Sequence, residues 1–467
     1  MPHVADSIPD LLSRLGEAGR IDGDRLVVED PATFRGDVIR DLAWTAAFGE
    51  EGAVVDAARW LVHEAARELG ARSASIQELY VARARGEVGG FTVPALNLRA
   101  QAFDMARTVF EAAEAADVGA VILELARSEQ TYTYQRPIDY STAVLAGAIA
   151  ANWQRPVFIQ GDHYQFNTKK YAEDPEAMTE EIRRACRLAI DAGYRNIDID
   201  SSTLVDLSKP DLDAQQRENY VRAAELTALI RSLEPDVTIS VGGEIGEVGK
   251  QNSTEGELRA YLDGYRRELE ARAPGAVGLS KVSVQTGTSH GGVPMPDGGV
   301  AEVKLDFDVL ARLGEVAREN GLAGAVQHGA STLPDELFNR FPAVETAEIH
   351  LATGFQNVMY EHPAFPAELH REIEAWTFAN AADERKPEQT DQQFVYTTRK
   401  KAIGPFKRQL WDLESKDEIL AAQRRKIAFL FTELGVNGSA AMVDRYVRPV
   451  EVRLAMPDSL RGAAVGS

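Results

Sequence analysis

Eight short β-rich runs alternate with longer amphipathic helical patterns along the middle of the chain, and this alternation constrains the fold more than any other feature. The runs are GGFTVPALN (89–97), AVILELA (120–126), PVFIQGDH (156–163), NIDIDSS (196–202), VTISVGGEIG (237–246), SKVSVQTG (280–287), AGAVQHG (323–329) and TAEIHLAT (346–353). Helical patterns such as AFDMARTVFEAAEAA and AMTEEIRRACRLAIDAG separate most of them. Parallel strands need long crossovers, usually helices, so the pattern implies a parallel sheet wrapped in helices. Eight such units predict an α/β fold of the (β/α)8 TIM-barrel type with extra N-terminal and C-terminal helices. A doubly wound sheet is the second reading, but no GxGxxG follows the first run.

The flanks differ from this core. Residues 1–75 carry amphipathic helix patterns such as GAVVDAARWLVHEAARELG and no convincing strand, so they are expected to form a helical N-terminal extension. Residues 76–360 are expected to form the catalytic barrel. Residues 361–467 are expected to form a helical segment that packs on the barrel or builds a subunit interface; DEILAAQRRKIAFLFTELGV is its clearest helix.

The formal net charge of −21 argues against nucleic-acid backbones and anionic membrane surfaces as partners. A single cysteine, Cys186, precludes an internal disulfide and suits a reducing, cytoplasmic compartment. Its helical setting, EEIRRACRLAIDAG, reads as a small buried residue rather than a nucleophile. The N-terminus lacks a basic and apolar leader pattern, and no apolar run approaches the roughly 20 residues of a membrane span.

Catalytic residues of a TIM barrel sit at the C-terminal ends of its strands. Run three ends in Asp162-His163, run four contains Asp198 and Asp200, run five reaches Glu244, run six leads to His290, and run seven ends in His328. The chain has eight histidines, and three of them fall at the ends of three different strands. Three imidazoles converging on one rim make a site that leaves zinc an open position for substrate or water. Gly291 and Gly329, beside two of them, let the backbone approach a ligand closely.

With these residues in place, the sequence resembles the class II, metal-dependent fructose-bisphosphate aldolase family over roughly residues 75–360. The resemblance rests on VPALN with Asn97, GDH with Asp162 and His163, GEIGEVG with Glu244, GTSHGG with His290, and HGAST, in that order. It implies that His163, His290 and His328 ligate a catalytic Zn²⁺, and that Asp162 is the proton-transfer acid/base. It implies that Asp200 and Glu244 serve a second or alternative cation position, divalent or monovalent; a salt-bridge or supporting role for these two carboxylates stays open. Gly291, Gly329, Ser331, Thr353 and Asn97 match substrate contacts. The reaction implied is reversible cleavage of a ketose bisphosphate, such as fructose 1,6-bisphosphate, to dihydroxyacetone phosphate and glyceraldehyde 3-phosphate. In such a mechanism the metal acts as a Lewis acid toward the enediolate and Asp162 exchanges the proton. In an ordinary strand Asp162 and His163 point to opposite sides, so only one is expected to ligate. The family-level expectation for assembly is a homo-oligomer, a dimer or larger.

The departures from the family pattern gather on the phosphate side. A loop similar to HGxYK becomes His290-Gly291-Gly292-Val293-Pro294, HGGSG becomes His328-Gly329-Ala330-Ser331-Thr332, and the NIDTD-like stretch becomes His350-Leu351-Ala352-Thr353-Gly354. A serine of run two is Ala126, and a GGEED-like loop is replaced by GKQNS at 249–253. Either the substrate has shifted, to tagatose bisphosphate or a related phosphosugar, or a cation from elsewhere replaces the lost lysine. Lys250, Lys281, Arg399, Lys400 and Lys407 are the candidates. His350 is read as a substrate-side or packing residue and not as a ligand, and Tyr164 as a packing residue at the barrel rim. A metal-dependent TIM-barrel hydrolase is the alternative activity, weakened because the His-x-His common at its first strand is VPALN here.

Overall fold

The structure is a computed structural model that describes residues 2–246, 251–287 and 305–461. Its centre is a closed parallel barrel of eight strands. Numbered within the barrel, they are β1 (Val93–Asn97), β2 (Ile122–Ala126), β3 (Phe158–Gln165), β4 (Asn196–Asp200), β5 (Ser240–Glu244), β6 (Lys281–Ser283), β7 (Ala325–Gln327) and β8 (Glu348–Leu351). Seven of the eight β-rich runs contain one of these strands, and the third covers all but the last two residues of β3; β8 closes the barrel by pairing with β1.

Crossover helices follow the first six strands: Ala102–Ala115, Pro137–Ala150, Pro175–Asp191, Leu212–Leu233, Glu255–Arg272 and Phe307–Glu319. Their starts are written locally. Asp174, Asp211 and Asp306 accept from the first free backbone N–H groups of their helices, and Thr254 with Glu257 closes a capping box. Each such cap contributes about 1 kcal/mol. After β7 the stretch LPDELFNRF, helical by its pattern, forms only two short turns, Asp335–Leu337 and Arg340–Ala343. Pro342, inside the second turn, removes a donor that a continuous helix would need.

The N-terminal extension is not wholly helical. Gly19–Asp22 and Arg25–Val28 form an antiparallel hairpin, with Asp22 opposite Arg25. The two-residue turn is made by Gly23, at φ 62°, and Asp24. Four-residue strands of mixed polarity, GRID and RLVV, carry too little alternation to register in a sequence reading.

Both flanks lie on the outside of the barrel. The helix Ala53–Leu69 packs on Pro137–Ala150, and Lys416–Glu433 packs on Ala102–Ala115. They meet where Trp44 contacts Trp411, ring centroids 4.9 Å apart, and its indole N–H donates to Asp412 at 2.8 Å. The helix Gln77–Ala84 closes the bottom of the barrel: Arg83 donates to the carbonyls of Phe91 at 2.6 Å and Thr346 at 3.2 Å. No helix among the described residues is long and apolar enough to cross a membrane.

Candidate active site

The site is built on an irregularity in β3. Its register against β4 shifts between Gly161 and Tyr164, and His163 adopts φ 44°. The bulge replaces the alternation expected of an ordinary strand, so the side chains of Asp162 and His163 line the same pocket. This corrects the expectation that neighbours in DH must face opposite ways. Tyr164 then turns outward and is fully buried, and a Cβ on Gly161 would lie 2.4 Å from its ring.

Around this bulge the ends of β4, β5 and β7 bring their side chains together. His163 Nδ1 lies 3.0 Å from Asp200 Oδ2 and 3.4 Å from Glu244 Oε2. The His163 and His328 rings stack with centroids 4.3 Å apart, and His328 Nε2 is 3.4 Å from Asp162 Oδ1. Ligand atoms of His163, Glu244 and His328 fall within 4.8 Å of one another, as a shared cation requires. Asp200 is not in that group. Its Oδ2 faces His163 and accepts from Gln165 at 2.5 Å, while Oδ1 accepts from the Ser202 hydroxyl at 2.7 Å.

The electrostatics suit a cation. Burial together with the neighbouring His350 and His163 pushes His328 well below the usual imidazole range, leaving a neutral ring with a lone pair to donate. Burial opposes a charged His163, but Asp162, Glu244 and Asp200 outweigh it and hold that ring protonated when no metal competes. Burial and the Asp200 carboxylate push Glu244 up to about 7. Burial disfavours ionised Asp162 too, yet His163 and His350 draw it well below the usual carboxylate range.

The opposite wall of the same pocket comes from β1, β2, β8 and the C-terminal segment. Asn97 and Thr353 line it, joined by Arg99, Glu129 and Lys400, and Gly329 and Ser331, which follow β7, complete the pocket. Glu129 ties the wall together, accepting from Asn97 at 2.6 Å and from Arg99 Nε at 2.7 Å. The Lys400 ammonium has no hydrogen-bond or ion-pair partner among the described residues, and burial with nearby Arg99 lowers its pKa. The cavity between the walls measures about 200 Å³.

A family model for class II fructose-bisphosphate aldolase matches residues 80–411. The chain belongs to the class II fructose-bisphosphate aldolase family. This makes it an enzyme of a carbon–carbon lyase family that acts on phosphosugars and is generally zinc-dependent. The aldolase chain also resembles solved structures at low identity. A probable tagatose 6-phosphate kinase from Sinorhizobium meliloti matches at 16% identity and TM-score 0.51, over 80% of this chain and 100% of that one. The fructuronate-tagaturonate epimerase UxaE from Cohnella laeviribosi matches at 9% identity and TM-score 0.54, over 91% and 90%. The YdjI aldolase from Escherichia coli K12 matches at 16% identity and TM-score 0.46, over 78% and 98%. At these identities the likeness is one of fold. No curated protein matches the aldolase chain.

Among the sequence candidates, Asp162, His163, His328, Asp200 and Glu244 converge, and Asn97, Gly329, Ser331 and Thr353 share their pocket. His290 and Gly291 lie outside the described residues, as does Lys250. Of the other replacement cations only Lys400 lines this pocket. Lys281 lies in the barrel core, Arg399 pairs with Glu361 at 2.9 Å, and Lys407 donates to the Tyr134 carbonyl at 2.9 Å. Sequence reasoning passed over Arg99, Glu129 and Glu124. Glu124 carried a signal, a lone acid inside the apolar run AVILELA. Arg99 and Glu129 carried none, since they follow strands in ordinary polar stretches.

Proposed function

We propose that this aldolase-family chain is a metal-dependent aldolase that cleaves a phosphorylated ketose to dihydroxyacetone phosphate and an aldehyde, with fructose 1,6-bisphosphate or its tagatose epimer as the candidate substrates. The observation that carries this reading is the convergence of His163, His328 and Glu244 around one cation-sized space, with Asp162 beside it and a pocket in front. Two imidazoles and a carboxylate form a donor set suited to Zn²⁺, and His290 is the further candidate ligand. A bound Zn²⁺ supplies Lewis acidity toward a ketone oxygen.

The chain's own side chains do the rest. Asp162 lies against His328 and His350, which favour its ionised form, so it is ready to accept the proton of the hydroxyl that becomes the aldehyde. Asp200 holds the His163 ring from behind. Lys400, with Arg99 beside it in an ion pair with Glu129 at 2.6 Å, holds the anionic end of the sugar; the presence of Lys400 in the pocket supports a replacement cation over the loss of phosphate recognition. Burial around Asp162 keeps bulk water from competing for its proton.

Aldehyde release measured over a panel of ketose mono- and bisphosphates, with and without chelator, tests the reading. Chelator-sensitive cleavage of a bisphosphate is expected. Release of inorganic phosphate without aldehyde would transfer the site to hydrolysis, and equal turnover of the unphosphorylated sugars would remove the role given to Arg99 and Lys400.

A further inference from the structure

The inside of this barrel is charged where TIM barrels are filled with aliphatic side chains. Glu124 from β2, Asp198 from β4, Lys281 from β6, and Glu348 and His350 from β8 project inward from the even strands, with Gln160 of β3 among them. All are buried, at 7% exposure or less. Lys281 Nζ donates to Gln160 Oε1 at 2.7 Å and to Glu348 Oε1, and pairs by charge with Asp198 Oδ2 at 3.0 Å. Glu348 also accepts from the Tyr80 hydroxyl of the bottom helix and from Gln160 at 2.9 Å. Asp198, Glu348 and His350 place ligand atoms close enough to share a cation, and the Lys281 ammonium already binds two of the three.

This network leads to the site. Glu348 Oε1 is 2.8 Å from His350 Nε2. On the other side of the ring, Nδ1 is 3.0 Å from Glu124 Oε2 and 3.3 Å from Asp162 Oδ1. Each ring nitrogen therefore has a carboxylate oxygen within 3.3 Å, so the ring is held between carboxylates on both sides. Its face lies against His328, with centroids 4.1 Å apart.

A fold does not need such a core. Replacing a buried ion pair by apolar groups of similar volume is often neutral or stabilising. We propose that His350 is a positioning residue for Asp162, and that Glu348, anchored by Lys281 and Tyr80, fixes His350 in that place. The proposal rests on the reading of Asp162 as the proton-transfer group. His350 has carboxylate oxygens at both ring nitrogens, one of them from Asp162 at 3.3 Å, and this geometry holds the Asp162 carboxylate at one angle. Asp162, His328 and His350 also place ligand atoms close enough to share a cation, and the zinc content of His350→Asn separates the two roles.

The test uses the full-length metal-loaded protein, with fructose 1,6-bisphosphate as probe. His350→Asn is expected to lower kcat at least about 10-fold while KM stays within about threefold and bound zinc stays stoichiometric. The double variant Lys281→Met/Glu348→Gln is expected to keep its melting temperature yet lose kcat to a similar extent. A stable double variant with wild-type kcat would make the network a packing device and overturn the proposal. Loss of zinc in His350→Asn would overturn it in another way, by making His350 a ligand. If the wild-type protein cleaves no ketose phosphate, the aldolase reading fails by itself. The positioning claim is then read from a crystal structure of His350→Asn, where Asp162 is expected to rotate; an unmoved Asp162 overturns it.

Discussion

The two walls of the pocket match the family motifs read from the sequence to different extents. On the wall from β3, β4, β5 and β7, Asp162, His163, Asp200, Glu244 and His328, the residues that the sequence resemblance picks out, meet at 3.0–3.4 Å. On the wall from β1, β2 and β8, Ala126, His350 and Ala352 replace polar family residues, and Arg99 and Lys400 supply cations that no motif announces. The difference follows from what each wall must do. A cation needs particular donor atoms at distances set to a few tenths of an ångström, so few sequences satisfy it. An anionic group accepts a positive charge from any nearby element, so its partners can migrate between loops.

The largest effects should therefore come from the first wall. Chelation is expected to abolish cleavage, with activity returning on Zn²⁺ addition, as followed by aldehyde release. Asp162→Ala is expected to lower kcat by about 10²–10⁴-fold while metal analysis finds the zinc retained. A variant that lost its zinc would move Asp162 into the ligand set and blur the separation of roles on this wall.

The second wall should respond in KM. Lys400→Met is expected to raise KM for a bisphosphate by about 10-fold, and Arg99→Met/Lys400→Met by about 100-fold, with kcat changed less, as a lost charged hydrogen bond of about 1.5–3 kcal/mol implies. A pH series sharpens this. In the proposed role Lys400 binds an anion only while protonated, and burial with the neighbouring Arg99 lowers its pKa. Raising the pH through that lowered pKa removes the charge, so KM should climb sooner than an ordinary lysine would allow. In Lys400→Met this alkaline rise should be missing. Unaltered KM values in both variants would mean that the second wall has not been rebuilt around these cations.

What could be read from the sequence divides along the same line. All eight barrel strands were legible, because a parallel barrel writes an apolar run and a helix for each unit. The metal wall was legible because His and Asp at strand ends are rare and each falls in a short motif. The bulge at 161–164 was not: period-two alternation has no term for an inserted residue, and only the sequence Gly161-Asp162-His163-Tyr164, with a glycine under a large ring, hints at it. The charged core was partly visible in Glu124, Lys281 and Glu348, polar residues inside apolar runs, but their mutual pairing depends on barrel closure, which sets residues as distant as Gln160 and Glu348 in contact. Lys400 was legible only as one of five candidate cations, and folding, which brings the C-terminal segment to the pocket, singles it out; Arg99 and Glu129 were not legible, because they follow strands in ordinary polar stretches.

The smallest effect tests how deep the first wall's demand for geometry runs. Asp200 is not among the residues whose ligand atoms share the cation-sized space, and on the proposed reading it fixes the His163 ring. Its Oδ2 is 3.0 Å from His163 Nδ1, and its Oδ1 accepts from both the Ser202 hydroxyl, at 2.7 Å, and the Ser202 backbone N–H, at 3.2 Å. Ser202→Ala deletes the hydroxyl contact alone and leaves the backbone one, so the protein should lose only about 1 kcal/mol of stability. Zinc affinity should nevertheless fall, by about 10-fold, because partners behind a ligating histidine set its ring orientation. With zinc in excess, kcat should match the wild type, since the ring is then pulled into place by the metal. A drop in kcat that excess zinc does not restore would mean that Asp200 acts on the substrate directly, and the sharp division between a metal wall and an anion wall would have to be given up.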